Sequence, residues 1–405
     1  MALLNIEYLS TVNYSLVNNK IPLCQSFELK NNTNEDLHNV VVECSGDFIH
    51  PFRSSVYDVV KARKALRPQE FDIVPDAAKV AVVTEKIRTS FTVIVWQDAL
   101  TEESRREVMR KDYDLEVMPY DYWLGTTILP QSLASFVTPN HPAIDAVVIK
   151  AAQILKQLTG SSAFTEYQTG NPNEVVNQVA AIYGALHAEN IVYRSVPASY
   201  EEIGQRITLP DQVLTTKLGD CIDLAILFAS VLENVGINSG IVIQKGHAYL
   251  AVWLVDDCCQ YSVCDDSSYL EKKCSKGIGE MLVLECTNVT SEKTSFEESC
   301  RTAERNLADL DMFSMFIDIR RCRLERVLPL PQRIMDNGAW VINVADGVEH
   351  DQCILDVKEH SRYDLSKVME SKRELTRMDI WERKLLDFSL RNAMLNMYLR
   401  QKAIQ

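Results

Sequence analysis

Cys221 follows Gly219-Asp220 at the head of an apolar run, and His247 follows Lys245-Gly246 at the head of a second one. A thiol and an imidazole are the two halves of a thiol nucleophile and its base. Such a pair attacks a carbonyl carbon, with the imidazole carrying a proton from sulfur to the leaving group. Three conditions follow. Donors must surround the thiol, the ring must reach it, and a third group, usually a carboxylate, must set the ring's tautomer.

The elements that would position this pair are legible locally. Leu224, Leu227, Phe228, Val231 and Leu232 recur at three- and four-residue steps, predicting a helix that starts at Cys221 and stops at Gly236. Asp220 is its N-cap candidate. Cys221 then lies in the first turn, where unpaired N–H groups and the helix dipole favour a thiolate and can receive an oxyanion. The stretches 240–243 and 248–254 are rich in β-branched and aromatic residues and predict two strands with Lys245-Gly246 as the turn. His247, Tyr249, Ala251 and Trp253 share one face of the second strand. For the orienting carboxylate, Glu285 lies in a strand-like run over 281–287 and is favoured. Asp265, in the polar stretch before Ser267-Ser268, is second. Gln212, upstream of the thiol, is a candidate oxyanion donor.

Leu218-Gly219-Asp220-Cys221-Ile222-Asp223-Leu224-Ala225, Gly246-His247-Ala248-Tyr249 and Val283-Leu284-Glu285-Cys286-Thr287 together resemble the transglutaminase-like, papain-type thiol enzymes. The resemblance implies a papain-like α+β fold and a Cys221, His247, Glu285 triad, and it leaves the substrate open. Two departures stand out: Glu replaces the usual Asp, and the loop before His247 is short. With the acyl-enzyme chemistry of that class, the expected substrate is a peptide or protein amide, with no cofactor.

The chain has 405 residues, 46% of them apolar and 24% charged, enough for two or three domains of ordinary composition. No apolar run is long enough to span a membrane, and the start has no basic segment of the secretory type, so no membrane partner is expected. Eleven cysteines, an odd number without an export signal, predict reduced thiols and a cytoplasmic setting. Cys258, Cys259, Cys264 and Cys274 lack the paired spacing of a zinc site, and no metal is expected there. A net charge of −14 argues against direct nucleic-acid binding by these residues as a whole.

The predicted architecture has four parts. Residues 1–112 read as an immunoglobulin-like β-sandwich with strands over 4–8, 23–29, 40–43, 71–74, 80–83 and 90–96. Residues 113–141 are a connector whose Tyr120, Tyr122 and Trp123 could cap a junction. Residues 142–332 are the thiol-enzyme domain, opening with helices at Pro142 and after Asn171-Pro172. A helix over 296–310 and a strand over 313–319 follow later in it. Leu328-Pro329-Leu330-Pro331 ends that domain. Residues 333–405 are a linker and an amphipathic helical segment bearing Trp381, Leu385, Phe388, Leu395 and Leu399, a broad apolar surface that wants a partner.

The segment from Trp381 through Asn392 resembles the opening of a domain found ahead of superfamily 1 helicase cores in large bacterial proteins. There a β-sandwich and a transglutaminase-like domain come first, and Tyr122-Trp123 and Phe136-Val137-Thr138-Pro139-Asn140 extend the likeness. That resemblance implies a downstream helicase-type domain of the same polypeptide as partner. It also opens a second functional reading, a catalytically inactive recognition or regulatory module of such a protein.

Overall fold

A computed structural model describes residues 2–68, 71–195, 199, 204–336 and 338–343. The described chain is α+β, with a strand-rich first portion followed by a helix-and-sheet unit.

Two sheets form the first portion. Ala2–Tyr8 pairs with Cys24–Asn31, which also pairs with Ala65–Leu66. The larger sheet runs Thr11–Val12, Arg106–Val117, Ile87–Gln97, Leu37–Gly46, Ile49–Arg53, and Tyr57–Val60 also pairs with Leu37–Gly46. Period-two burial drives it: Phe91, Val93 and Val95 point inward while their neighbours face out.

Several strand expectations need correction here. Residues 80–83 do not form a strand; Val80 and Ala81 end the short helix Ala77–Ala81, whose N-cap Asp76 accepts the Ala78 and Lys79 N–H groups. A good cap outweighs the β-propensity of three valines. Residues 71–74 form no regular strand, though Ile73 is fully buried. Besides the two-residue strands Thr11–Val12 and Ala65–Leu66, three longer unpredicted strands, Ile49–Arg53, Tyr57–Val60 and Arg106–Val117, are made by pairing rather than by local pattern. The last is mostly charged, yet it runs alongside Ile87–Gln97 over nearly its full length.

Tyr120 and Trp123 of the connector are buried. Trp123 is fully buried, Tyr120 stacks on Tyr14 with ring centres 5.1 Å apart, and the Tyr120 hydroxyl donates to the Pro331 carbonyl. The Arg333 guanidinium lies between the Tyr120 and Trp340 rings, 4.4 Å from each centre.

The second portion holds a five-stranded antiparallel sheet. Its order is Val263–Cys264, Phe313–Asp318, Ser239–Gln244, His247–Trp253, Met281–Leu284. The helix Cys221–Asn234 packs on its central strands, and the helices Pro142–Thr159, Pro172–His187 and Pro210–Thr216 cover the helix's other sides. It is therefore buried all round from Cys221 to Leu232, where the sequence pattern suggested a single apolar face. Gly236, at φ +80°, lies just past its end. After Leu330, whose N–H donates to Ser135 O, the hairpin Arg333–Asp336 and Ala339–Ile342 follows. The amphipathic helical segment expected to bear Trp381, Leu385, Phe388, Leu395 and Leu399 lies outside the described residues. Among the described residues, no helix is long and apolar enough to cross a membrane.

Candidate active site

Cys221 owes its position to three consecutive features. Leu218–Gly219 pairs in parallel with Val192–Tyr193, which fixes the chain just before the helix. Asp220 then caps it: its Oδ1 accepts the Ile222 and Asp223 N–H groups, each at 3.1 Å, while Asp223 Oδ2 accepts the Asp220 N–H at 3.1 Å. This reciprocal box leaves the Cys221 amide as the first-turn N–H that no described group accepts.

The two capping carboxylates are themselves buried. Asp220 Oδ2 accepts from Gln205 Nε2 at 2.9 Å; Asp223 Oδ1 accepts from the Thr208 N–H at 2.7 Å, and Arg194 lies 3.4 Å from Asp223 Oδ2. Burial pushes both acids up, and the Asp220 charge adds to it at Asp223, which rises to about 7.

His247 is delivered by a tight hairpin. Gln244 pairs with His247 across Lys245-Gly246, and Gly246 sits at φ +74° with open space where a Cβ would lie. The demand for glycine there is conformational. The ring lies over Tyr249, centres 6.1 Å apart, and its Nε2 is 2.7 Å from Glu285 Oε2. Cys221 is within hydrogen-bonding reach of the same ring. With Nε2 engaged by the carboxylate, Nδ1 is the nitrogen left for sulfur. Burial works against the imidazolium, but Cys221 and Glu285 outweigh it and raise His247 to about 10.

Glu285 is 3% exposed and accepts four hydrogen bonds. Oε1 takes the Thr287 N–H at 3.0 Å and its hydroxyl at 2.7 Å; Oε2 takes His247 Nε2 and, at 3.0 Å, Asn306 Nδ2. An acceptor so fully supplied is held as a carboxylate: burial pushes it up, but the hydrogen bonds and charge of His247 and the Thr287 donors bring it below its ordinary value. The strand predicted over 281–287 stops at Leu284. Glu285 instead caps the 3-10 turn Cys286–Thr290, and that turn swings the carboxylate back to the imidazole.

Cys221, His247 and Glu285 are thus brought together. Asp265 is not: it is exposed beside Val263–Cys264, at the sheet edge opposite Glu285, with two strands between it and the His247 strand. Gln212 is half-buried on Pro210–Thr216. It lines a cavity of about 770 Å³ at the helix start, shared with Arg194, Ser199, Gln205, Leu218 and Asp220. No hydrogen bond joins its side chain to Cys221 among the described residues.

One contributor escaped sequence reasoning. Asn306 comes from the helix Phe296–Leu307, too far along the chain for any spacing rule to connect it with Glu285. Tyr193 lies close to Cys221, on a two-residue strand that pairs with Leu218–Gly219. Elsewhere, Cys258, Cys259, Cys264 and Cys274 are free thiols, and no group of three metal-ligating side chains occurs among the described residues.

This arrangement coincides with a family assignment for part of the chain. Residues 162–266 match the transglutaminase-like superfamily, so the chain carries a transglutaminase-like domain. The matched stretch contains Cys221 and His247 and ends before Glu285. No curated protein matches the sequence.

Proposed function

We propose that the protein is a thiol hydrolase that cleaves a peptide or isopeptide amide through an acyl-enzyme. The observation that carries this reading is His247 held between Cys221 at a capped helix start and the buried Glu285. The Cys221 thiol passes its proton to His247, and sulfur adds to the amide carbonyl carbon. His247 returns the proton to the leaving nitrogen, the C–N bond breaks, and a thioester remains. Water, deprotonated by His247, attacks the thioester; the C–S bond breaks and the thiol is restored. An amine in place of water would give acyl transfer by the same steps. Glu285 keeps Nδ1 directed at sulfur and stabilises the imidazolium formed on the way.

The test uses the whole protein. Iodoacetamide is added across a pH series, and the labelled cysteine is read by mass spectrometry. Burial pushes Cys24 to about 11 and Cys44, Cys274 and Cys300 to about 12, so these react slowly. Cys221 is expected to label first, and His247→Ala to slow it at least tenfold. Labelling at the rate of a free cysteine peptide, unchanged by that substitution, would overturn the proposal.

One observation favours the competing reading, a non-catalytic recognition module in a helicase-bearing protein: Cys221 is only 6% exposed. On that reading Cys221→Ala leaves the biological activity of the full polypeptide intact.

A further inference from the structure

The two carboxylates that cap the Cys221 helix, Asp220 and Asp223, are 3% and 0% exposed. Two negative charges side by side and out of water need compensation. The amides of Asp220, Ile222, Asp223 and Thr208 and the Gln205 side chain donate to them, and all of these donors are neutral. Among the described residues one cation pairs with them. Arg194 Nη2 lies 3.4 Å from Asp223 Oδ2 and donates to Thr208 Oγ1 at 3.0 Å. Thr208 in turn gives its N–H to Asp223 Oδ1 at 2.7 Å, and the Arg194 N–H donates to Gly219 O at 2.9 Å. Arg194 therefore closes a ring of hydrogen bonds around the turn that leads into Cys221. Other charges on the neighbouring elements are engaged elsewhere: Lys217 pairs with Glu189, Arg206 with Asp121, and Asp211 lies beside His141.

We propose that Arg194 is a positioning residue whose guanidinium supplies the counter-charge that keeps the Asp220–Asp223 cap closed and the Cys221 sulfur set toward His247. The inference rests on the thiol-hydrolase reading for its kinetic consequence and adds the group that holds the nucleophile's helix start. The cap works because each carboxylate accepts at both oxygens. Protonation turns one oxygen into a donor, and an amide that it held is left facing another donor. Burial and the charge of Asp220 push Asp223 up to about 7; burial also pushes Asp220 up, against the pull of its amide donor and of Arg194. The cap is therefore complete above about pH 7 and opens as pH falls, and without the Arg194 charge it opens at a higher pH. Around pH 7 the nearby Tyr193 stays a phenol, raised by burial to about 12, while His247 and Glu285 keep their charges.

Arg194→Gln removes the charge, and Arg194→Lys keeps it while losing the planar fork. Acylation of Cys221 by p-nitrophenyl acetate is followed against pH in the full chain. In Arg194→Gln the acid limb should lie at higher pH than in the wild type. Acylation at pH 7 should fall about tenfold, the low end for a hydrogen bond to a charged group, because Arg194 is an exposed side chain. The two proteins should converge at pH 9, where the variant is thereby shown to be folded, and Arg194→Lys should keep most of the rate at pH 7. In an Asp223→Asn background, where the charge is already absent, Arg194→Gln should change acylation by less than about twofold. An acid limb that does not move, or a Lys variant as slow as the Gln variant, would overturn the proposal by leaving Arg194 a packing role. A loss that persists in Asp223→Asn would overturn it by placing the guanidinium's action on the thiol itself. Wild-type protein that the ester does not acylate would refute the hydrolase reading instead. The ¹³C shift of the Asp223 carboxyl, which needs no chemistry at sulfur, then decides the role of Arg194: its titration moves to higher pH in Arg194→Gln if the charge acts on the cap, and stays in place if it does not.

Discussion

Glu285→Gln removes one charge while preserving nearly all of the side chain's volume, and its consequences can be worked through atom by atom. Glu285 accepts at both oxygens, from Thr287 on one side and from His247 and Asn306 on the other. Glutamine offers one oxygen and one NH₂. If the oxygen faces His247, the NH₂ meets the Thr287 amide, donor against donor, and one buried amide is left unpaired at a cost of about 1–3 kcal/mol. If the NH₂ faces His247, it donates to Nε2, so the neutral ring carries its proton on Nδ1 and no longer accepts one from sulfur.

Either way the imidazolium loses its counter-charge. A rise of His247 from 6.5 to about 10 corresponds to about 5 kcal/mol in favour of the charged ring. Cys221 and Glu285 share that preference against burial, so removing Glu285 should lower the value.

The sign for stability follows from the direction of each shift. His247 is raised, so its contribution is complete below about 6.5 and is lost as pH climbs through about 10. Glu285 is lowered, so its share is complete above its ordinary value near 4.5 and is lost as pH falls. In Glu285→Gln the alkaline loss should begin at a lower pH than in the wild type. The assay is an imidazole ¹⁵N NMR titration of His247, paired with p-nitrophenyl acetate acylation. Acylation should fall by about 10³- to 10⁴-fold, as when a triad carboxylate becomes an amide. A wild-type His247 that titrates near 6.5, or one whose titration is the same in Glu285→Gln, would refute the reasoning.

Other perturbations probe the supports. Asn306→Ala deletes one hydrogen bond to a charged oxygen, worth about 2 kcal/mol, so acylation should drop about 30-fold with a downward shift of His247 smaller than in Glu285→Gln; a fall in thermal midpoint alone, with the His247 titration intact, would deny it a positioning role. Phe228→Ala, at a fully buried ring 6.2 Å from Tyr183, should cost about 3–5 kcal/mol of unfolding free energy by denaturant titration, and a loss below 1 kcal/mol would contradict the packing described for the Cys221 helix.

The parts of this protein that could be read in advance are those governed by neighbours in sequence. Asp220 caps the helix because its carboxylate reaches amides two and three residues on. Gly246 closes the hairpin because its backbone takes a conformation other residues resist. Those two local facts place Cys221 and His247 at the starts of their elements, and the alternation of the His247 strand sets the ring's side of the sheet. Local rules failed where propensity and capping competed, as at Asp76, and where pairing made a strand from a charged run, as in Arg106–Val117.

Folding in three dimensions settled the rest. The carboxylate for His247 was a choice between Glu285 and Asp265 in the sequence, and strand order decided it. Met281–Leu284 adds beside the His247 strand, while Val263–Cys264 adds at the far edge. Asn306 reaches the site from a helix that no short spacing ties to it. The physical reason is range. Caps, turns and amphipathic stripes act over a few residues of chain, so sequence alone determines them. Which distant side chains share one carboxylate or one thiol depends on the sheet's order and on the packing of the helices against it, which exist only in the folded chain.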